Sequence, residues 1–142
     1  MIMAKRILVV EDDPLIFKMQ NNTLASSYDI FRARAVDEAC GAVEEDGPFD
    51  CFVVDLSIYA SGLTLEEMAL YKRREGYAFL KNYLWKGNEN EIKELKRKTI
   101  ICSRYVDDLR KEFGDEVDEL KMVLKDSGFE KRVALLIEKI CS

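Results

Sequence analysis

Histidine is absent from this sequence. With it go Ser-His and Cys-His nucleophile pairs, imidazole-ligated metals and any phosphohistidine carried by the chain itself. A metal would have to sit on carboxylates and carbonyls, which suits a hard cation such as magnesium. Cysteine is sparse and scattered: Cys40, Cys51, Cys102 and Cys141 show no CxxC spacing, so no cysteine-based zinc site is expected. Cys51 and Cys102 lie in apolar runs and read as core packing. No apolar run approaches the length needed to cross a bilayer, and residues 1–6 lack the apolar stretch of a secretory signal. A cytoplasmic protein is expected. Positive charge is also short: the formal net charge is −5 and the pI about 4.9. An acidic chain does not suit a phosphate backbone, so neither nucleic acid nor membrane is expected as a partner. The densest basic stretch, Lys93, Lys96, Arg97 and Lys98, is interleaved with Glu91 and Glu94 and reads as a solvated helix face.

What is present is enough apolar material for one core. The 142 residues are 48% hydrophobic despite 35% charged, which argues for one compact domain and against disorder. Short apolar runs alternate with amphipathic stretches. Residues 7–10 (ILVV) read as a buried strand, and Asp13-Pro14 as a helix start with Asp13 at the cap, the helix running to about residue 25. Residues 29–34 could form a short strand and 36–45 a helix, broken by Gly47-Pro48. Residues 49–56 contain CFVV, a second buried strand ending on Asp55. A long polar stretch follows. There Thr64 and Glu67 match a capping box, which predicts a short extra helix over 65–74. Tyr77, Leu80 and Leu84 form a helical stripe ending near Lys86-Gly87, and residues 91–98 read as a charged helix. A third central strand (99–103, TIICS), a helix (106–113), a last strand (121–124, KMVL) and an amphipathic helix (131–140) complete the chain. Five strands alternating with about five helices imply a parallel sheet covered on both faces. No output domain is expected after the last helix.

Ligands of open parallel sheets bind beyond the carboxyl ends of the strands. Glu11, Asp12 and Asp13 follow the first strand, Asp55 and Ser57 end the third, Ser103 ends the fourth, and Lys125 follows the fifth. Taken singly, Asp13 is a helix cap, Lys125 a surface lysine, and Ser103 uninformative. Asp55 is harder to dismiss, because it directly follows Phe52, Val53 and Val54 and must lie at the rim of the core. Taken together, clustered carboxylates repel and need a cation or a proton. Magnesium accepts oxygen ligands and keeps positions open for water and phosphate. A carboxylate beside a lysine and a metal can attack an activated phosphoryl group, with the cations offsetting charge on the transferring oxygens.

The segments ILVVEDDP (7–14), FDCFVVDL (49–56), TIICS (99–103) and LKDSGF (124–129) resemble, in order and spacing, the receiver domain of two-component response regulators. The resemblance spans nearly the whole chain. It implies a flavodoxin-like three-layer α/β/α fold with a five-stranded parallel sheet, and a single stand-alone receiver domain over residues 1–142. It implies that Glu11 and Asp12 are the acidic pair holding magnesium, with Asp55 and the backbone carbonyl of Ser57 completing the metal shell. It makes Asp55 the phosphoacceptor, Ser103 the switch hydroxyl and Lys125 the phosphate-contacting lysine. The implied partners are a histidine kinase or phosphotransfer protein and a downstream protein target. The final strand and helix are the candidate surface for a homodimer. Such a module is not an enzyme in its own right; it assists only its own phosphorylation and dephosphorylation.

Several positions depart from the family pattern. The Met-Pro that usually follows the phosphoacceptor is replaced by DLSIYASG (55–62), and an extended loop with an extra helix is expected over about 58–75. Arg104 stands where a small residue is usual, Met122 where an aromatic is common, and Asp126 where a proline is usual. These changes motivate an alternative, a phosphorylation-independent pseudo-receiver serving as a protein-interaction module. A third reading, a magnesium-dependent phosphatase with an aspartyl nucleophile, is disfavoured because Ser57 stands where such enzymes often carry a second acid.

Overall fold

The computed structural model describes residues 4–142; residues 1–3, part of the start read above for a secretory signal, lie outside the described residues. Five parallel strands, β1 (Arg6–Val10), β2 (Asp29–Ala33), β3 (Cys51–Val54), β4 (Thr99–Ser103) and β5 (Lys121–Leu124), form one sheet in the order β2-β1-β3-β4-β5. This is the flavodoxin-like order, with the change of direction at β1 and β3. The short β-branched runs form strands because side chains alternate between two covered faces. Ile7, Val9, Cys51, Val53 and Ile100 point to one face; Leu8, Val10, Phe52, Val54 and Ile101 point to the other.

Helices α1 (Pro14–Leu24) and α7 (Phe129–Cys141) cover the first face; α7 contributes Val133, Ile137 and Ile140. The second face carries α2 (Val36–Glu45), α3 (Leu65–Leu70), α4 (Glu75–Phe79), α5 (Glu89–Arg97) and α6 (Val106–Phe113). Among the described residues no helix is long and apolar enough to cross a membrane.

The stretch between β3 and β4 divides into three helical segments, as the sequence pattern predicts, but with different bounds. The capping box at its start is formed: Glu67 N–H donates to Thr64 Oγ1 at 3.1 Å and Thr64 N–H to Glu67 Oε1 at 3.0 Å. The helix ends at Leu70, short of the predicted residue 74. Tyr71 turns into the core, and Arg73 adopts a left-handed φ of 66° with its N–H held by Glu75 Oε2 at 3.0 Å. The predicted stripe of Tyr77, Leu80 and Leu84 is buried, but its second half (Leu80–Leu84) is a π-helical turn closed by Trp85 N–H on Leu80 O. The wider turn accompanies burial of Trp85, whose Nε1 donates to Thr99 Oγ1 at 3.3 Å. Helix α5 starts before the predicted residue 91, because Asn88 and Glu91 form a second capping box.

The segment after β3 first continues alongside the end of β2. Ala35 and Tyr59 form a parallel bridge, and Asp37 N–H donates to Ser61 O at 2.7 Å. It then returns to the end of β3, where Gly76 N–H donates to Leu56 O at 2.8 Å. A Cβ on Gly76 would lie 1.9 Å from Asp55 O, so only glycine permits this approach. The insertion therefore leaves from the strand end that carries Asp55 and closes back onto it.

Candidate functional site

The carboxyl ends of β1, β3 and β5 bring four of the predicted residues together. Glu11 follows β1 and is anchored by its N–H on Ala33 O at 2.9 Å; Asp55 follows β3 with its N–H on Val10 O at 2.9 Å. Lys125 follows β5 with its N–H on Ser103 O at 3.1 Å. Main-chain bonds to neighbouring strands thus fix the backbone from which all three side chains project. The Lys125 ammonium donates to Asp55 Oδ2 at 2.8 Å and also to Glu11 Oε1. Glu11, Asp12 and Asp55 each present a carboxylate oxygen within 4.8 Å of the others. Glu11 and Asp55 are buried, whereas Asp12 is half-exposed.

The charges are arranged under tension. Burial, reinforced by repulsion from Asp55, pushes the Glu11 carboxyl up to about 8, although Lys125 opposes the shift. Burial pulls the Lys125 ammonium down, but Asp55 and Glu11 outweigh it and leave its pKa raised. One lysine thus serves two buried acids. An all-oxygen donor set that lacks sufficient positive charge fits a hard divalent cation.

A cavity of about 190 Å3 opens above these groups, lined by Glu11, Asp12, Asp13, Asp55, Ser57 and Lys125, with Arg104 and Tyr105 on its rim. Asp13 touches the cavity, yet its carboxylate is engaged as the cap of α1, accepting from Leu15 N–H at 2.9 Å and Ile16 N–H at 3.4 Å. Ser57 N–H donates to Asp55 Oδ1 at 3.4 Å. Ser103 does not reach the cavity wall. It is fully buried, and its hydroxyl accepts from Tyr105 N–H at 3.2 Å. Met122 is half-buried against the second-face core, and Asp126 is paired with Arg132 away from the cavity. The basic stretch of α5 lines a larger groove of about 670 Å3 with Glu119 and Lys121, at the opposite ends of the strands from the carboxylates.

Two contributors were not evident in the sequence. Arg32, on β2, donates to Glu11 O and Asp12 O, each at 3.2 Å, and lies over the Phe17 ring at 4.8 Å. It braces the acidic turn from below. Only the pairing of β2 with β1 could have flagged it. Gly76 carries no signal of its own, since its role depends on where the insertion returns.

The fold has many solved counterparts. A sensor protein from Polaromonas superposes with a TM-score of 0.69 at 18% identity, over 96% of this chain and 95% of that one. A CheY-like response regulator receiver domain protein from Methanospirillum hungatei superposes with a TM-score of 0.67 at 18% identity, over 97% and 94%. NtrX from Brucella abortus matches with a TM-score of 0.68 at 19% identity, over 98% of this chain but 27% of that one. No family model and no curated protein sequence matches the chain. At these identities the likeness is one of fold: the chain has the flavodoxin-like α/β/α architecture that receiver domains use.

Proposed function

We propose that this protein is a phosphoacceptor module of a two-component phosphorelay, taking a phosphoryl group on Asp55 from a histidine kinase or phosphotransfer protein. The observation that carries the reading is Asp55 itself. It is a buried carboxylate at the carboxyl end of a central strand, bonded to Lys125 and grouped with Glu11 and Asp12. Glu11, Asp12, Asp55 and the backbone carbonyl of Ser57 would hold magnesium. When bound, the ion would offset charge on the transferring phosphoryl oxygens. In the transfer an Asp55 oxygen forms a bond to phosphorus as the bond from phosphorus to the donor breaks. Lys125 orients the Asp55 carboxylate and meets the incoming negative charge. The main-chain anchors of β1, β3 and β5 keep these groups from collapsing together. The chain turns over no substrate of its own beyond gaining and losing this phosphoryl group, and its output is altered contact with a downstream protein. Leu124 and Leu135, exposed on β5 and α7, support that face as a homodimer surface.

The test is intact mass after incubation with acetyl phosphate and magnesium, for the wild type and Asp55→Asn. One phosphoryl group on the wild type and none on the variant is the expected result. Equal incorporation in both would sink the assignment of Asp55. No incorporation together with no beryllofluoride binding would favour the pseudo-receiver reading.

A further inference from the structure

Two cations line the cavity, and they are not equivalent. Lys125 is buried and already bonded to Glu11 and Asp55. Arg104 is exposed on the rim and takes part in none of the ion pairs among the described residues. The neighbouring hydroxyl supplies no positive charge: Ser103 is fully buried and accepts from Tyr105 N–H. A phosphoryl group on Asp55 would carry about two negative charges, replacing the single charge of the carboxylate, in a space lined by Glu11, Asp12 and Asp13. Among the described residues the cavity then offers one unpaired cation, Arg104, to receive them.

We propose that Arg104 is the phosphoryl-binding residue on the open side of the site. Its planar guanidinium donates two hydrogen bonds to phosphoryl oxygens, a geometry lysine cannot reproduce. Arg104 makes and breaks no covalent bond. It closes the rim over the aspartyl phosphate, opposing the attack of water on phosphorus that would release inorganic phosphate and restore the Asp55 carboxylate. The inference rests on Asp55 being the phosphoacceptor. It goes further by assigning the phosphate's lifetime to a side chain that also forms the mouth through which donors arrive.

The experiment compares wild type, Arg104→Ala and Arg104→Lys. Each is phosphorylated with acetyl phosphate and magnesium, freed of donor, and followed by intact mass over time. Beryllofluoride affinity is measured on the same proteins, and thermal melting checks that they are folded. Loss of one charge-assisted bidentate contact should shorten the lifetime of the phosphorylated form about tenfold in Arg104→Ala and weaken beryllofluoride binding by about as much. Arg104→Lys should recover only part of both, with melting unchanged in all three. A phosphorylated Arg104→Ala that decays at the wild-type rate or more slowly overturns the proposal and leaves Asp55 in place. A wild type that accepts no phosphoryl group and binds no beryllofluoride overturns both.

Discussion

On one face of the sheet, Leu24, Val133, Ile137 and Ile140 from α1 and α7 pack against Ile7, Val9, Val53 and Ile100, and the contacts are mainly aliphatic, with Phe129 the one buried ring among the described residues of that cluster. On the other, the insertion and α6 are joined by rings and charges. Tyr71 stacks on Phe113 at 6.2 Å between centroids, Tyr77 donates to Glu116 at 2.9 Å, and Arg74 pairs with Glu112 at 2.6 Å. The difference follows from element length. Helix α7 has 13 residues and buries a continuous stripe, whereas α3 and α4 have 6 and 5. Helices that short are unstable alone and depend on tertiary contacts. The aliphatic face therefore holds the sheet, and the directional contacts tie the insertion to the helix that follows Ser103 and Arg104.

The steepest effect is expected where the two faces meet, at Glu11. Its folded carboxyl, raised to about 8 by burial and then by Asp55, keeps a proton that the unfolded chain gives up near 4.5. Metal-free stability should therefore fall as pH rises from about 4.5 to about 8. Glu11→Gln should lack this component and be the more stable protein at pH 8. Denaturation with chelator present, repeated across that window, checks it; parallel curves for the two proteins would count against it.

On the aliphatic face, Ile137→Ala should cost about 4 kcal/mol, from lost burial plus a cavity. Chemical denaturation measures it. Gly76→Ala probes the insertion's return: its methyl would meet the Asp55 carbonyl, backbone that cannot rotate away. We expect a loss of about 3 kcal/mol together with slower phosphorylation of Asp55, whereas Ile137→Ala should leave phosphorylation intact. Equal effects of the two on phosphorylation would erase the distinction between the faces. Tyr77→Phe, which removes the hydrogen bond to Glu116, should cost about 1 kcal/mol. Combined with Ile137→Ala it should be additive within about 0.5 kcal/mol, and stronger coupling would mean the faces are not independent.

Much of the fold was legible before any coordinates. The runs ILVV, CFVV and TIICS became β1, β3 and β4, because a continuous apolar run flanked by turn residues satisfies a strand covered on both sides, and KMVL became the partly exposed edge strand β5. Asp13 could be read as a cap because Pro14 follows it, and the structure uses it so. Less legible was the region from Leu63 to Leu84. A short helix over 65–74 and a separate stripe from Tyr77 could be read, but the stop at Leu70 and the π-helical turn accompany packing of Tyr71 on Phe113 and of Trp85 on Thr99, which are far away in sequence.

By itself the sequence determined which residues could form strands and which acids, hydroxyl and lysine follow them, since periodicity and strand ends are local properties. Tertiary structure alone decided that Lys125 bonds both Glu11 and Asp55, that Ser103 is buried while Arg104 lines the cavity, and that Arg32 and Gly76 approach the backbone of Glu11 and Asp55. The physical reason is that side-chain direction and distance at a sheet edge depend on strand order and on how loops return to it. Both are settled by packing between segments that no local pattern connects.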